Sequence, residues 1–167
     1  MGVKNEVFDQ TLKHKGYFNY TDLYNFCYNW FKDNGYKNLA EEEYIEKIAP
    51  IGKEIQIKWV AKKKVSDYFR QIITVKWHIL GMTDAEVEVN GKKEKTNKGE
   101  VKLKISAEVE KDWEGNWEKT PFYVMLRGIY DKYILRTTID EYEDALTAKA
   151  SNFVADTKAF LNLEGRK

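Results

Sequence analysis

The sequence predicts an α+β domain, on three observations: an early stripe of apolar residues at helical spacing, a long middle section in which the apolar period falls to two, and a return to helical spacing toward the C-terminus. The opening stretch from Val3 to Lys13 mixes Val7 and Leu12 with polar residues and is expected to form a short edge strand. From Thr21, residues Leu23, Phe26, Cys27, Trp30 and Phe31 recur at i, i+3, i+4, i+7 and i+8, one stripe of an amphipathic helix. Asn19 or Thr21 can cap its start by accepting from a free backbone N–H, and Gly35 can close its end in the left-handed conformation.

The period then changes. A strand near Glu43 to Ala49 ends at Pro50-Ile51-Gly52, and Ile55, Ile57, Trp59 and Ala61 alternate with polar residues beyond it. Phe69, Ile73, Val75, Trp77 and Ile79 repeat the alternation after the connection around Lys64 and Ser66. Asn90-Gly91 suits a two-residue hairpin because both residues tolerate positive φ. Lys98-Gly99 reads as a second turn, and Val101, Leu103, Ile105, Ala107 and Val109 follow as the cleanest alternation in the chain. Thr120-Pro121 then starts a helix with the stripe Phe122, Met125, Leu126, Ile129 and Tyr133, while Tyr142, Leu146, Phe153, Phe160 and Leu161 carry helical spacing almost to the end, as two helices or one bent one. The sum is one domain over residues 1–167: an antiparallel meander of about five to six strands, one N-terminal helix, and a long C-terminal helical segment on one face. No repeat, no linker rich in Gly, Pro or Ser, and no low-complexity tract divides it.

This order of elements resembles the helix-grip arrangement of the START and Bet v 1-like families, in which a curved sheet wraps the last helix around an apolar cavity. The resemblance is one of element order over most of the chain and rests on no motif. It implies a carrier of a small apolar ligand, with Trp59, Phe69, Trp77 and Phe122 as inward-facing cavity residues; the competing expectation is that these rings simply fill the core.

Composition narrows the partners. Lys+Arg at 28 against Asp+Glu at 27 leaves a net charge of +1, so no global field steers the chain toward nucleic acid or anionic lipid. The 14% aromatic content supplies large units of core area for a chain long enough to need no staple. Cys27 is the one cysteine, which excludes an intrachain disulfide and suits a reducing compartment. Without an apolar run behind the N-terminus or a stretch of 18 apolar residues, the expectation is a soluble cytoplasmic protein, and the Asn19-Tyr20-Thr21 acceptor triplet carries no meaning there. High Lys and Glu with two prolines fits a thermophilic source.

No reactive constellation emerges. His14 and His78 lie in different elements, and one cysteine with two histidines makes no zinc pattern, so no metal, cofactor or catalytic residue is assigned. The glycines around Asn90 to Gly99 lack phosphate-loop spacing, and no nucleophile elbow is present. The runs Glu41-Glu42-Glu43 and Asp140 to Asp144 read as solvated faces. The expectation is therefore a non-enzymatic interaction or assembly module. Its candidate partner-binding residues are Trp113 and Trp117, in a loop where tryptophan is costly to leave wet, and Lys62, Lys63, Lys64, Lys93 and Lys95 at two hairpin ends. If those ends coincide they make a basic patch for phosphates, although edge lysines more often guard against sheet-to-sheet aggregation, so nucleic acid is not the favoured partner.

Overall fold

In a computed structural model, which describes residues 3–66, 68–113, 121–129, 132 and 136–165, alternating polar and apolar residues build five antiparallel strands: β1 (Val3–Phe18), β2 (Asn38–Ala49), β3 (Gly52–Lys64), β4 (Phe69–Val89) and β5 (Lys92–Lys111). Helix α1 (Tyr20–Asp33) joins β1 to β2, and α2 (Pro121–Ile129) and α3 (Arg136–Gly165) follow the sheet. The sheet order is β1-β5-β4-β3-β2. Strands β2 to β5 are thus a meander of hairpins, and β1 closes on β5 from the far side. The expected α+β class, with helices packed on one side of the sheet, is what the chain adopts.

Local chemistry accounts for the element ends. The Asn19 side chain accepts from Asp22 N–H at 3.0 Å and caps α1. Asn90 and Gly91 have φ of 54° and 79°, and Val89 faces Lys92, which is the two-residue hairpin expected there. Ser66 organises the β3–β4 turn: its Oγ accepts from Phe69 N–H at 3.0 Å while its own N–H donates to Phe69 O at 3.1 Å.

Two expectations change. The first strand runs for 16 residues rather than stopping at Lys13; the uninterrupted β5 offers it a ladder as far as Phe18 opposite Asn97. Lys98-Gly99 is no turn but lies inside β5. The glycine is needed for close approach instead. Strand β4 carries a bulge between Leu80 and Thr83, and a Cβ on Gly99 would come within 3.0 Å of Leu80 O and 3.1 Å of Met82 Cα. On the other side of the bulge, a Cβ on Gly52 would meet Gly81 C at 2.7 Å. Gly16 pairs with Gly99, so glycines cross β1, β5, β4 and β3 along one line at this bend.

The core lies between the sheet's inner face and α1 with α3. Ile55, Ile57, Trp59, Ile73, Val75, Trp77, Leu103 and Ile105 supply the sheet side, and Leu23, Phe31, Leu146, Phe153 and Leu161 the helix side, all buried. The rings interlock edge to face: Trp59 sits 5.0 Å from Trp77 and Trp30 4.9 Å from Phe153 between centroids. No described helix is long and apolar enough to cross a membrane.

The bend yields a direct test. Gly52 combines a φ of +129° with backbone atoms where a side chain would stand, whereas Gly16, at φ +133°, has nothing within 4 Å. Gly52→Ala is expected to lose about 1–3 kcal/mol in urea unfolding, and clearly more than Gly16→Ala. Equal losses would mean that the close approach at the bulge carries no energy.

Candidate interaction surfaces

Three of the four rings expected to line a cavity occupy the core. Trp59, Phe69 and Trp77 are each at most 3% exposed. Tyr24 sits 4.9 Å from the Trp59 ring and Tyr142 5.0 Å from Phe69, so the rings are packed by other rings. Phe122 departs from expectation: it is 60% exposed on α2 rather than turned inward. Its stripe mate Met125 is likewise 54% exposed and Ile129 47%. Tyr123 at 46% and Val124 at 43% are exposed beside them, so α2 presents apolar side chains on more than the one stripe that periodicity picks out.

The aromatic loop contributes one described tryptophan. Trp113 folds back on the sheet, donating its indole N–H to Ser66 O at 3.0 Å and lying over the Arg70 guanidinium at 5.1 Å and Lys64 Nζ at 5.8 Å. Arg70 in turn donates from Nε to Glu110 at 3.0 Å. Trp117 lies outside the described residues.

The two lysine-rich hairpin ends do not meet. Lys64 faces Arg70 at the start of β4, while Lys93 and Lys95 face Glu88 and Glu86 near its end. At ~3.3 Å per residue these positions are roughly 50 Å apart along the strand. The ends therefore do not coincide to make a joint basic patch, because consecutive hairpins of an antiparallel meander project from opposite ends. Lys93 and Lys95 also sit cross-strand from carboxylates. Lys63 leans over the Tyr36 ring, with Nζ 5.6 Å from its centroid and 3.4 Å from Asn34 O; Lys62 and Lys64 are exposed.

The two histidines have ordinary partners. His78 Nε2 lies 3.0 Å from Glu54 Oε1, and this contact, followed by a hydrogen bond from Gln56, holds the Glu54 carboxyl below the usual range. His14 Nε2 lies 3.0 Å from Tyr17 O. Sequence reading missed one polar cluster, which ties α1 to the edge strand β2. Tyr24 Oη donates to Glu41 Oε1 at 2.9 Å, and the Trp59 indole donates to the same oxygen at 3.2 Å. Burial, then the Glu41 hydrogen bond, pushes the Tyr24 phenol up to about 12. Only the register of β2 brings Glu41 opposite Trp59. Among the described residues no group of three or more His, Cys, Asp or Glu is placed to hold a metal ion.

A second apolar surface lies between α1 and α3. Phe26 and Trp30 of α1 and Ala159, Phe160 and Leu163 of α3 line an open groove of about 460 Å³. Phe26 and Phe160 stack across it at 4.7 Å and 14°. Asn29, Asp33 and Asp156 complete the lining with polar side chains, and Leu163 is 64% exposed.

The chain matches no protein-family model, no curated protein and no solved structure.

Cys27 offers a further check on the core. Its thiol is fully buried on the inner face of α1, and burial pushes its pKa up to about 12. At pH 8 the native protein should leave a thiol reagent such as Ellman's unreacted, with one equivalent released only on denaturation. Rapid reaction of the native chain would place Cys27 in an accessible site.

Proposed function

We propose that the protein is a self-assembling interaction module, in which α2 of one copy docks into the α1–α3 groove of the next. The observation that carries this reading is the exposure of apolar side chains on one short helix, Tyr123 and Val124 among them, with Phe122, Met125 and Ile129 at i, i+3 and i+7. That is the anchor spacing of a helix that lays an apolar face into a groove. Apolar surface left in water costs about 25 cal/mol per Å², so an uncovered stripe of this kind favours an occupant.

A second copy is the occupant favoured here because the same chain carries both halves of the contact. Nine residues at 1.5 Å rise make α2 about 13 Å long, short enough to lie along a groove bounded by two helices. The groove's aromatic floor suits Phe122 and Met125. Because α2 and the groove are different surfaces, the contact is heterologous and propagates from copy to copy, closing as a ring or extending as a filament.

Light scattering behind size exclusion tests this. The mean mass should rise with protein concentration, and Met125→Glu alone or Leu163→Asp alone should each hold the protein monomeric. Mixing those two variants should restore a 1:1 dimer and nothing larger, since one retains a groove and the other a helix. A wild-type protein that stays monomeric at every concentration, or mixed variants that stay apart while the wild type assembles, would sink the reading.

A further inference from the structure

The open face of the sheet, opposite the helices, carries a charge pattern that the register creates. On β5, Lys102 and Lys104 are exposed between the buried Val101, Leu103 and Ile105. Lys104 pairs with Lys76 on β4, and Lys76 pairs with Lys58 on β3, so three lysines stand side by side across three strands. One step along, Lys102 lies between Lys13 on β1 and His78 on β4. Strand neighbours are roughly 4.8 Å apart and same-face residues on one strand about 6.7 Å, so the group covers an area only about 15 Å across.

Like charges directly opposite each other destabilise a sheet, and interior strands have no edge to protect. The usual remedy is an interleaved carboxylate. Here Lys58 has one, with Glu42 at 3.3 Å. Among the described residues, Lys13, Lys76, Lys102 and Lys104 form no ion pair, and Glu54 is engaged by His78. Glu100, the nearest acid along β5, pairs in register with Lys15. Four flexible point charges therefore converge on a face where, among the described residues, no carboxylate lies within ion-pairing distance of any of them, with Glu43, opposite Lys58, and Asp9, opposite Ser106, standing at its rim.

We propose that this face binds the phosphate backbone of a nucleic acid through Lys13, Lys76, Lys102 and Lys104. One phosphate is too small to engage a patch that crosses three strands, whereas a nucleic-acid strand presents several in series. Thr11, Thr74 and Ser106 flank the lysines, with no aromatic ring among them on which a base could stack. Binding is consequently indifferent to sequence. This surface is separate from α2 and its groove, so it stands or falls independently of self-assembly.

A fluorescent 30-base-pair DNA duplex titrated by anisotropy at several salt concentrations tests the inference. With four phosphates neutralised, log K should fall against log salt with a slope of about −3.6, which is roughly a hundredfold loss between 50 and 200 mM. Lys76→Gln with Lys104→Gln should roughly halve that slope and weaken binding at least tenfold at 50 mM salt, and Lys13→Gln with Lys102→Gln should do the same. Lys93→Gln with Lys95→Gln, at the distant hairpin, should leave affinity within about twofold. The melting temperature of the two central variants should not drop, because each removes a like-charge contact. The inference is overturned if the wild type fails to bind at 50 mM salt, if the hairpin variant loses as much affinity as the central ones, or if phosphatidylserine vesicles bind where DNA does not.

Discussion

The packing of two tryptophans on neighbouring strands against the rings of two helices is the interaction on which the rest of the molecule depends. Trp59 on β3 and Trp77 on β4 sit 5.0 Å apart. Phe31 of α1 approaches Trp59 at 6.4 Å and Phe153 of α3 at 4.9 Å. With the buried Leu23 and Cys27, that stack holds α1 over the sheet. Each indole then needs a partner for its N–H. Trp59 finds one in Glu41 and Trp30 one in Asp156, whereas the buried Trp77 N–H has no partner among the described residues.

Most of the architecture was legible in the sequence because periodicity of two and of 3.6 are strong signals when one face of each element is dry. The stripe from Leu23 to Phe31, the alternation from Val101 to Val109 and the Asn90-Gly91 hairpin all behave as their local chemistry dictates. Failures occurred where meaning depended on a residue's neighbour across the sheet. Gly99 looks like punctuation until the bulge at Gly81 beside it is known. Phe122 looks like core until the helix that carries it is placed. The first strand reads as shorter than it is because its inner-face positions include His14 and Gly16, which blur the alternation although β5 pairs with both.

The candidate surfaces follow the same rule. Lysines grouped by sequence, at residues 62–64 and 93–95, fall at opposite ends of the longest strand and beside carboxylates or rings. Lysines that no sequence window would group, one from β1, two from β5 and one from β4, become neighbours through register alone. Charge clustering on a sheet is a property of pairing. A linear scan sees it only within a strand, where same-face residues are two apart.

The line of glycines also divides the sheet into unequal parts. Below it, five strands pack against helices; beyond it, β4 and β5 continue from Asp84 to Asn97 chiefly as a two-stranded ribbon, with exposed or half-buried side chains throughout. Asn97 anchors the ribbon's base, accepting from Tyr20 N–H at 3.0 Å and donating to Asp84 at 3.3 Å. A lone hairpin of this kind is marginal in water. Its amides are therefore expected to exchange with solvent sooner than those of the five-stranded body, by local openings that leave the packed core in place.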